Sequence, residues 1–246
     1  MTDSSLISTR ALTARDLEDF GVCPRKFLLA ATASRDETQG LLGGPAMLTR
    51  AVRNTLHEAL APGSAGTVAE ALARFEAHFE GRYCADSREE DELADLGRRV
   101  LREVLSASAE RDVLATNVLY EGEIDGERFQ ASADLLLRTD SGLELVRFTL
   151  SRKAPTPAEL GQNPGTVILH DLATPAHPGE AITIVIEALR AGARVVASLG
   201  DGRLEATREA LLRRARTLRA ASEFGAVKGS HCRWCRSQRR CPEWRR

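Results

Sequence analysis

The residues of this chain that most clearly suggest chemistry are its cysteines. Cys232 and Cys235 are separated by two residues, and Cys241 follows after five more and is itself followed by a proline. Two cysteines spaced in this way can direct both sulfurs at one metal across a tight turn. The chain contains five cysteines, and an odd number argues against a disulfide framework. The spacing therefore favours a metal site in the C-terminal tail.

A four-thiolate site needs one more ligand than the tail provides. Cys23 is the best candidate because, like Cys241, it directly precedes a proline. Four thiolates suit both zinc and an iron–sulfur cluster, so the tail by itself leaves these two open. Either metal would tie together the two ends of the chain. Cys84 has no partner at ligand spacing, and we expect it to be a structural thiol.

The same tail is strongly basic, although the whole chain is not. The 246 residues include 34 Lys or Arg and 35 Asp or Glu, so no global polycation is available to bind nucleic acid. From residue 228 to residue 246, however, seven basic residues accompany one acid. The two tryptophans, Trp234 and Trp244, alternate with these arginines, a combination that suits nucleic-acid backbones and bases. An alternative interpretation is that both tryptophans pack over the metal site.

Helices and strands must bring the two ends of the chain together. Residues 1–12 read as a loose leader, and apolar periodicity predicts helices over 13–112, beginning at an N-cap on Thr13. Alternating segments and Asp-Gly or Ser-Gly turns predict three strands, and a second hairpin follows a helix that begins near Asn163. This order predicts an α/β or α+β core over 113–200, with a long helix and the cysteine-rich tail over 201–246.

Composition excludes a membrane protein of the helical type. Apolar residues make up 43% and charged residues 28% of the chain, and no apolar run approaches the length of a membrane span. The first residues lack the charged and then apolar build of a secretory signal. We expect a cytoplasmic protein with no membrane partner.

A cysteine in the segment CPRKF, combined with C-x₂-C-x₅-C-P near the other end of the chain, resembles the iron–sulfur branch of the PD-(D/E)XK nuclease superfamily. That branch includes RecB-like exonucleases, the nuclease domains of AddAB-type helicase–nucleases and CRISPR-associated iron–sulfur exonucleases. The resemblance covers most of the chain. It implies a restriction-endonuclease-like mixed sheet with an N-terminal helical insert, and a [4Fe–4S] cluster rather than zinc. The implied ligands are Cys23, Cys232, Cys235 and Cys241.

The resemblance also indicates where catalytic residues would lie. The helix histidine of the family falls on His57, although Arg53 replaces the glycine four positions earlier. The first core aspartate falls on Asp134 in the segment ASADLLL. In the next strand the family has an acid and then a lysine, but this chain has Arg147 and Thr149 there. An arginine at a ligand position opposes the binding of Mg²⁺ or Mn²⁺.

Two other residues could replace the missing acid and lysine. Glu144 is on the same strand as Arg147, but strand alternation directs it to the opposite face. Lys153 would lie on the same face of the strand as Thr149, but it comes after the expected end of the strand. Lys153 could therefore replace the motif lysine only if the strand contained a bulge. The downstream Q-x-x-x-Y motif of the family is also absent.

These observations predict an iron–sulfur protein with a nuclease fold and a degraded hydrolytic site. We expect it to bind DNA as a binding or structural subunit, beside a helicase or an active nuclease. The expected DNA-binding residues are Arg147, Arg233, Arg236, Arg239 and Arg240. One alternative is an active Mg²⁺- or Mn²⁺-dependent DNA exo- or endonuclease in repair or defence, using His57, Asp134, Glu144 and Lys153. Another is a scaffold stapled by the cluster or by zinc.

Overall fold

The chain forms an α/β fold in which helices pack on both faces of a mixed sheet. The computed structural model describes residues 9–33, 43–64, 66–108, 110–200 and 202–244. The helices that precede the sheet are α1 (Ala14–Val22), α2 (Pro24–Ala31), α3 (Gly44–Ala59), α4 (Val68–His78) and α5 (Ser87–Ala107). The strands are β1 (Asp112–Ile124), β2 (Glu127–Thr139), β3 (Gly142–Thr149), β4 (Ile182–Ala188) and β5 (Ala193–Val196). The other helices are α6 (Pro157–Gly161), α7 (Pro164–Ala176) and α8 (Arg203–Ala220).

The strands lie in the order of the sequence, from β1 at one edge to β5 at the other. β1, β2 and β3 are antiparallel neighbours, β3 and β4 are parallel, and β4 and β5 form an antiparallel hairpin. The parallel step is possible because α6 and α7 carry the chain back across the sheet. At the first hairpin, Asp125 and Gly126 both adopt the left-handed conformation, as the predicted Asp-Gly turn requires.

Each face of the sheet has its own apolar core. One core, which includes Leu145 and Leu169, packs the sheet against α1, α2, α7 and α8. The other, which includes Phe75 and Val146, packs it against α3, α4 and α5. Apolar residues on both faces of the central strands explain why β2 and β3 read as nearly continuous apolar runs.

The predicted helix starts at Thr13 and Asn163 are confirmed. Thr13 forms a capping box with Asp16 at the start of α1, and the Asn163 side chain accepts backbone hydrogen bonds at the start of α7. The acidic stretch from residue 86 to residue 95, which reads as a join between two helices, instead forms the first turns of α5.

The end of the expected leader is also ordered. Leu12 is completely buried, and its backbone amide donates a 2.9 Å hydrogen bond to the carbonyl of Arg128 in β2. Most of the leader, residues 1–8, lies outside the described residues. Among the helices that the structure describes, none is both long and apolar enough to cross a bilayer.

Candidate active site and cysteine cavity

Asp134 stands at the point where β2 and β3 separate. The paired register of these strands ends at Leu135 and Val146, one residue away. The side chain of Asp134 is completely buried, and its Oδ2 accepts a 2.6 Å hydrogen bond from the backbone amide of Phe148. The carboxylate thus accepts a hydrogen bond from a backbone amide that lies beyond the last pair between β2 and β3.

The other oxygen of this carboxylate is occupied from α3. Arg53 Nε donates to Asp134 Oδ1 over 2.7 Å, and His57 Nε2 lies 2.8 Å from the same atom. The two residues are one helical turn apart and therefore project from the same face of α3. Because an ionised carboxylate can only accept, His57 must carry a proton on Nε2 in this contact.

The environment of Asp134 keeps its carboxylate ionised. Burial alone would raise its pKa, but the hydrogen bond from His57, the charge of Arg53 and the amide of Phe148 together hold the pKa below its ordinary value. In the sequence, Arg53 stands out as a departure from the glycine-x-x-x-histidine motif. Only the structure shows that this arginine pairs with Asp134.

Arg147 flanks the same carboxylate from the next strand. The last pair between β2 and β3 is Leu135 and Val146. Arg147 is the next residue of β3, so it stands across from Asp134, the preceding residue of β2. The pKa of Arg147 is lowered, mainly by burial and in addition by the positive charge of Arg53. The negative charge of Asp134 acts in the opposite direction and raises this pKa. A Cβ on Gly165, in the first turn of α7, would come within 2.9 Å of Arg147 Nη1. The glycine at this position therefore leaves room for the arginine.

Few ligands for a divalent cation lie around Asp134. In the described ranges, no three His, Cys, Asp or Glu side chains are grouped so that they could hold a metal ion. Mg²⁺ and Mn²⁺ are held mainly by carboxylate oxygens. Here one carboxylate is flanked by two arginines, so the local charge is positive where a cation would need it to be negative.

Glu144 and Lys153 are held elsewhere. Glu144 forms an ion pair with Arg194 of β5 and lines a cavity near the turn between β2 and β3. It lies about 10 Å along the strand from Arg147, at roughly 3.3 Å per residue. Lys153 is exposed in the loop after β3, where its backbone bonds to the side chain of Ser151. The structure therefore brings Asp134 and His57 together but leaves both of these residues apart from them.

The four cysteines of the predicted cluster surround one cavity. Cys23 lies at the junction of α1 and α2, where it ends the first helix and precedes Pro24 at the start of the second. The other three cysteines come from the tail, around two short 3₁₀ helices, Ser230–Trp234 and Gln238–Arg240. All four line a cavity of about 300 Å³. Sequence positions near both ends of the chain thus meet at one place.

The walls of this cavity provide hydrogen-bond donors to sulfur. The amide of Val227 donates to Cys23 Sγ over 3.3 Å. The pKa of the Cys235 thiol is raised, mainly by burial and in addition by the neighbouring Cys23 and Cys232. The amide of Ser237 and the charge of Lys26 oppose this shift and lower the pKa. The mutual influence of three thiols is expected when their sulfurs face the same space.

One buried donor on the cavity wall has no partner. Arg25 lines the cavity, and its Nε atom is buried with no hydrogen-bond acceptor among the described residues. Its backbone is fixed by a 3.2 Å hydrogen bond to the carbonyl of Gly225. A buried N–H that lacks a partner costs about 1–3 kcal/mol, so Arg25 fits an acceptor-rich group held by the cysteines.

Comparison with known protein families agrees with this architecture. The family model of the PD-(D/E)XK nuclease superfamily matches the chain over residues 11–242. The chain belongs to the PD-(D/E)XK nuclease superfamily. No curated protein sequence is a significant match. The superfamily is named after a D/E-x-K motif, in which an acid and a lysine are separated by one residue. Arg147 and Thr149 have the same separation, and they stand where the acid and the lysine of this motif are expected.

The basic tail of this superfamily member is only partly exposed. Arg240 Nη1 donates a 2.8 Å hydrogen bond to the carbonyl of Leu29 in α2, so this arginine helps to dock the tail. Burial lowers the pKa of Arg236, which also lies near Arg15 and Asp19. The side chains of Arg233, Arg236 and Arg239 are nevertheless exposed.

The two tryptophans have different environments. Trp244 lines the cysteine cavity and is half-exposed, as expected if it packs over the bound group. Trp234 does not line the cavity, and 87% of its surface is exposed beside Arg233. Each of the two interpretations drawn from the sequence therefore suits one tryptophan.

Proposed function

We propose that this protein is a DNA-binding member of the PD-(D/E)XK superfamily whose own hydrolytic centre has been replaced by an internal ion-pair cluster. One observation carries the proposal. The buried carboxylate of Asp134 is bonded to Arg53, to His57 and to a backbone amide, and Arg147 stands where the second metal-binding acid belongs. A carboxylate engaged in this way has little capacity left for a metal ion.

The same charges suit a phosphate group. Arginine side chains bind phosphate oxygens through charge-assisted hydrogen bonds, and such contacts position a protein on the DNA backbone. With two arginines around one acid, this cluster would attract the backbone that an active nuclease of the fold would cut. Exposed Trp234 and its neighbour Arg233 offer a second contact, in which a base stacks on the indole ring.

We further propose that Cys23, Cys232, Cys235 and Cys241 hold a [4Fe–4S] cluster. Four thiolates suit zinc as well as a cluster, and the cysteine pattern, which resembles the iron–sulfur branch of the superfamily, favours the cluster. The cysteines line one cavity of about 300 Å³, which has room for a multi-atom group. Arg25 offers this group a hydrogen bond.

The cluster would have a structural role. It would fasten the junction of α1 and α2 to the C-terminal tail and so close the fold near both chain ends. A protein built in this way is suited to hold DNA as a cytoplasmic subunit beside a helicase or an active nuclease, in repair or in defence. Neither role requires that the cluster transfer electrons.

The test is a combined cleavage and binding assay on anaerobically purified protein. Labelled single- and double-stranded DNA is incubated with Mg²⁺ or Mn²⁺ to measure cleavage, and in EDTA to measure affinity. We expect binding without cleavage, and weaker, less salt-dependent binding by Arg147→Glu. Metal-dependent cleavage that disappears in Asp134→Ala would instead establish an active nuclease. A lack of DNA binding by the wild-type protein would favour a scaffold.

A further inference from the structure

A second group of arginines surrounds a cavity next to the Asp134 cluster. This cavity, about 590 Å³ in volume, lies between α3, α5 and the end of β3. Three of its lining residues are arginines from separate parts of the chain: Arg99 on α5, Arg152 in the loop after β3, and Arg190 in the turn between β4 and β5. The fold therefore gathers at one place three positive charges that are distant in sequence.

None of these arginines is neutralised by a neighbour. All three are exposed, and none has an ion pair or a side-chain hydrogen bond with any residue that the structure describes. The two acids that also line the cavity are already engaged. Glu89 accepts a hydrogen bond from the amide of Ala85, and Glu92 forms a 2.9 Å ion pair with Arg88. The three guanidinium groups thus remain available to an anion.

The cavity is connected to the Asp134 cluster through a single residue. Phe148 lines the cavity, and its backbone amide is the donor to Asp134 Oδ2. Thr149, at the position of the motif lysine, lines the cavity as well. A phosphodiester chain bound in this cavity would therefore lie beside the segment of β3 that carries Arg147.

The chemistry of the walls favours a phosphate backbone over a free nucleotide. Guanidinium groups match phosphate oxygens well, and converging like charges are stabilised when an anion lies among them. The only aromatic residue among the described lining residues is Phe148, which is buried, so the cavity offers no exposed ring on which a base could stack. The site can therefore hold phosphate without reading sequence.

We propose that Arg99, Arg152 and Arg190 form a phosphate-binding pocket that holds the DNA backbone as it leaves the Asp134 cluster. The inference rests on the proposed DNA-binding function and adds a path for the backbone. Contacts between these arginines and phosphates would contribute to the affinity for DNA, and this contribution would not depend on the base sequence and would decrease as the salt concentration rises.

The experiment measures DNA affinity against salt concentration for the cluster-loaded protein and for the triple variant Arg99→Gln, Arg152→Gln, Arg190→Gln. We expect the slope of log affinity against log salt to fall by about 1 for each arginine that contacts a phosphate. The matched control is Arg102→Gln, since Arg102 is also exposed on α5 but does not line the cavity. Thermal unfolding of each variant verifies that the fold is intact.

The outcomes separate this inference from the proposed function. A slope that falls in the triple variant but not in the control supports the pocket. If Arg147→Glu weakens DNA binding while the triple variant behaves like the control, the pocket is wrong and the DNA-binding function stands. A parallel titration uses inorganic pyrophosphate and ATP as probes. If these bind at the three arginines and DNA does not, the assignment to a DNA backbone is overturned.

Discussion

The Asp134 cluster and the cysteine cavity are the two places where this fold gathers reactive side chains, and they differ in how completely their groups are paired. Both oxygens of Asp134 are bonded to neighbours within the protein. In the cysteine cavity four thiols surround an open volume, and the buried Nε of Arg25 has no described acceptor. A buried polar group is stable only when it is paired. Both oxygens of Asp134 are therefore satisfied within the protein, whereas the cysteine cavity fits an additional ligand.

This contrast underlies the proposal that the fold has lost one site and kept another. Arg53 and Arg147 stand where the resemblance places a glycine and an acid, and they leave the charge around Asp134 positive. The four cysteines are located in different elements and contact different neighbours. The following predictions test whether the two sites are independent, as this comparison requires.

The largest effect is expected at the cysteine cavity. Cys232→Ala should abolish cluster binding and strongly destabilise the fold, because metal-binding free energy contributes directly to folding. Iron, sulfide and zinc content, visible absorption and thermal unfolding measure the outcome. Cys84→Ala is the control and should retain the cluster, since Cys84 does not line the cavity. Stoichiometric zinc with no iron in the wild-type protein would contradict the cluster assignment.

Removing the central acid of the other site should have the next largest effect. Asp134→Ala leaves Arg53 without its ion-pair partner and Arg147 without the nearby negative charge, and breaking a buried ion pair in this way costs about 3–5 kcal/mol of unfolding free energy. Urea denaturation measures the loss. The iron content of the folded variant should not change. A loss below about 1 kcal/mol would show that the ion pairs contribute little.

The same acid should also make stability depend on pH. The pKa of Asp134 is held below its unfolded value of about 3.9, so its stabilising contribution is fully present above that pH. The contribution should disappear as the pH falls through the lower pKa of the folded state. Asp134→Asn should therefore be less stable than wild type at neutral pH, and the difference should narrow in acid. Parallel curves for the two proteins at all pH values would contradict this linkage.

The smallest effect is expected from Arg25. Arg25→Gln removes one hydrogen bond to the bound group, a change of about 1.5–3 kcal/mol for a charged donor, and should accelerate cluster loss to a chelator by tenfold or more. The decay of visible absorption measures this rate. Arg233→Gln, at an exposed arginine of the C-terminal tail that does not line the cavity, should leave the rate unchanged. Equal rates for Arg25→Gln and wild type would show that Arg25 does not contact the group.

Much of the fold could be predicted from the sequence because the relevant signals are local. The caps at Thr13 and Asn163, the Asp-Gly turn and the alternation of apolar residues depend on residues within a few positions of one another. The burial of Leu12 could not be predicted in this way, since it depends on contact with β2, more than a hundred residues later. Among the described residues of the expected leader, only Ala11 and Leu12 are buried. Two apolar residues are too few to form a pattern that would distinguish a buried segment from a loose leader.

For the sites, the sequence by itself determined which residue types are present and which are replaced. Cysteine spacing predicted a shared site, and Arg147 and Thr149 marked a departure from the D/E-x-K motif. Only the tertiary structure decided that Arg53 pairs with Asp134, that Glu144 pairs with Arg194, and that three distant arginines line one cavity. The physical reason is that electrostatic pairing depends on distance in space, which the packing of helices on the sheet sets and which sequence separation does not encode.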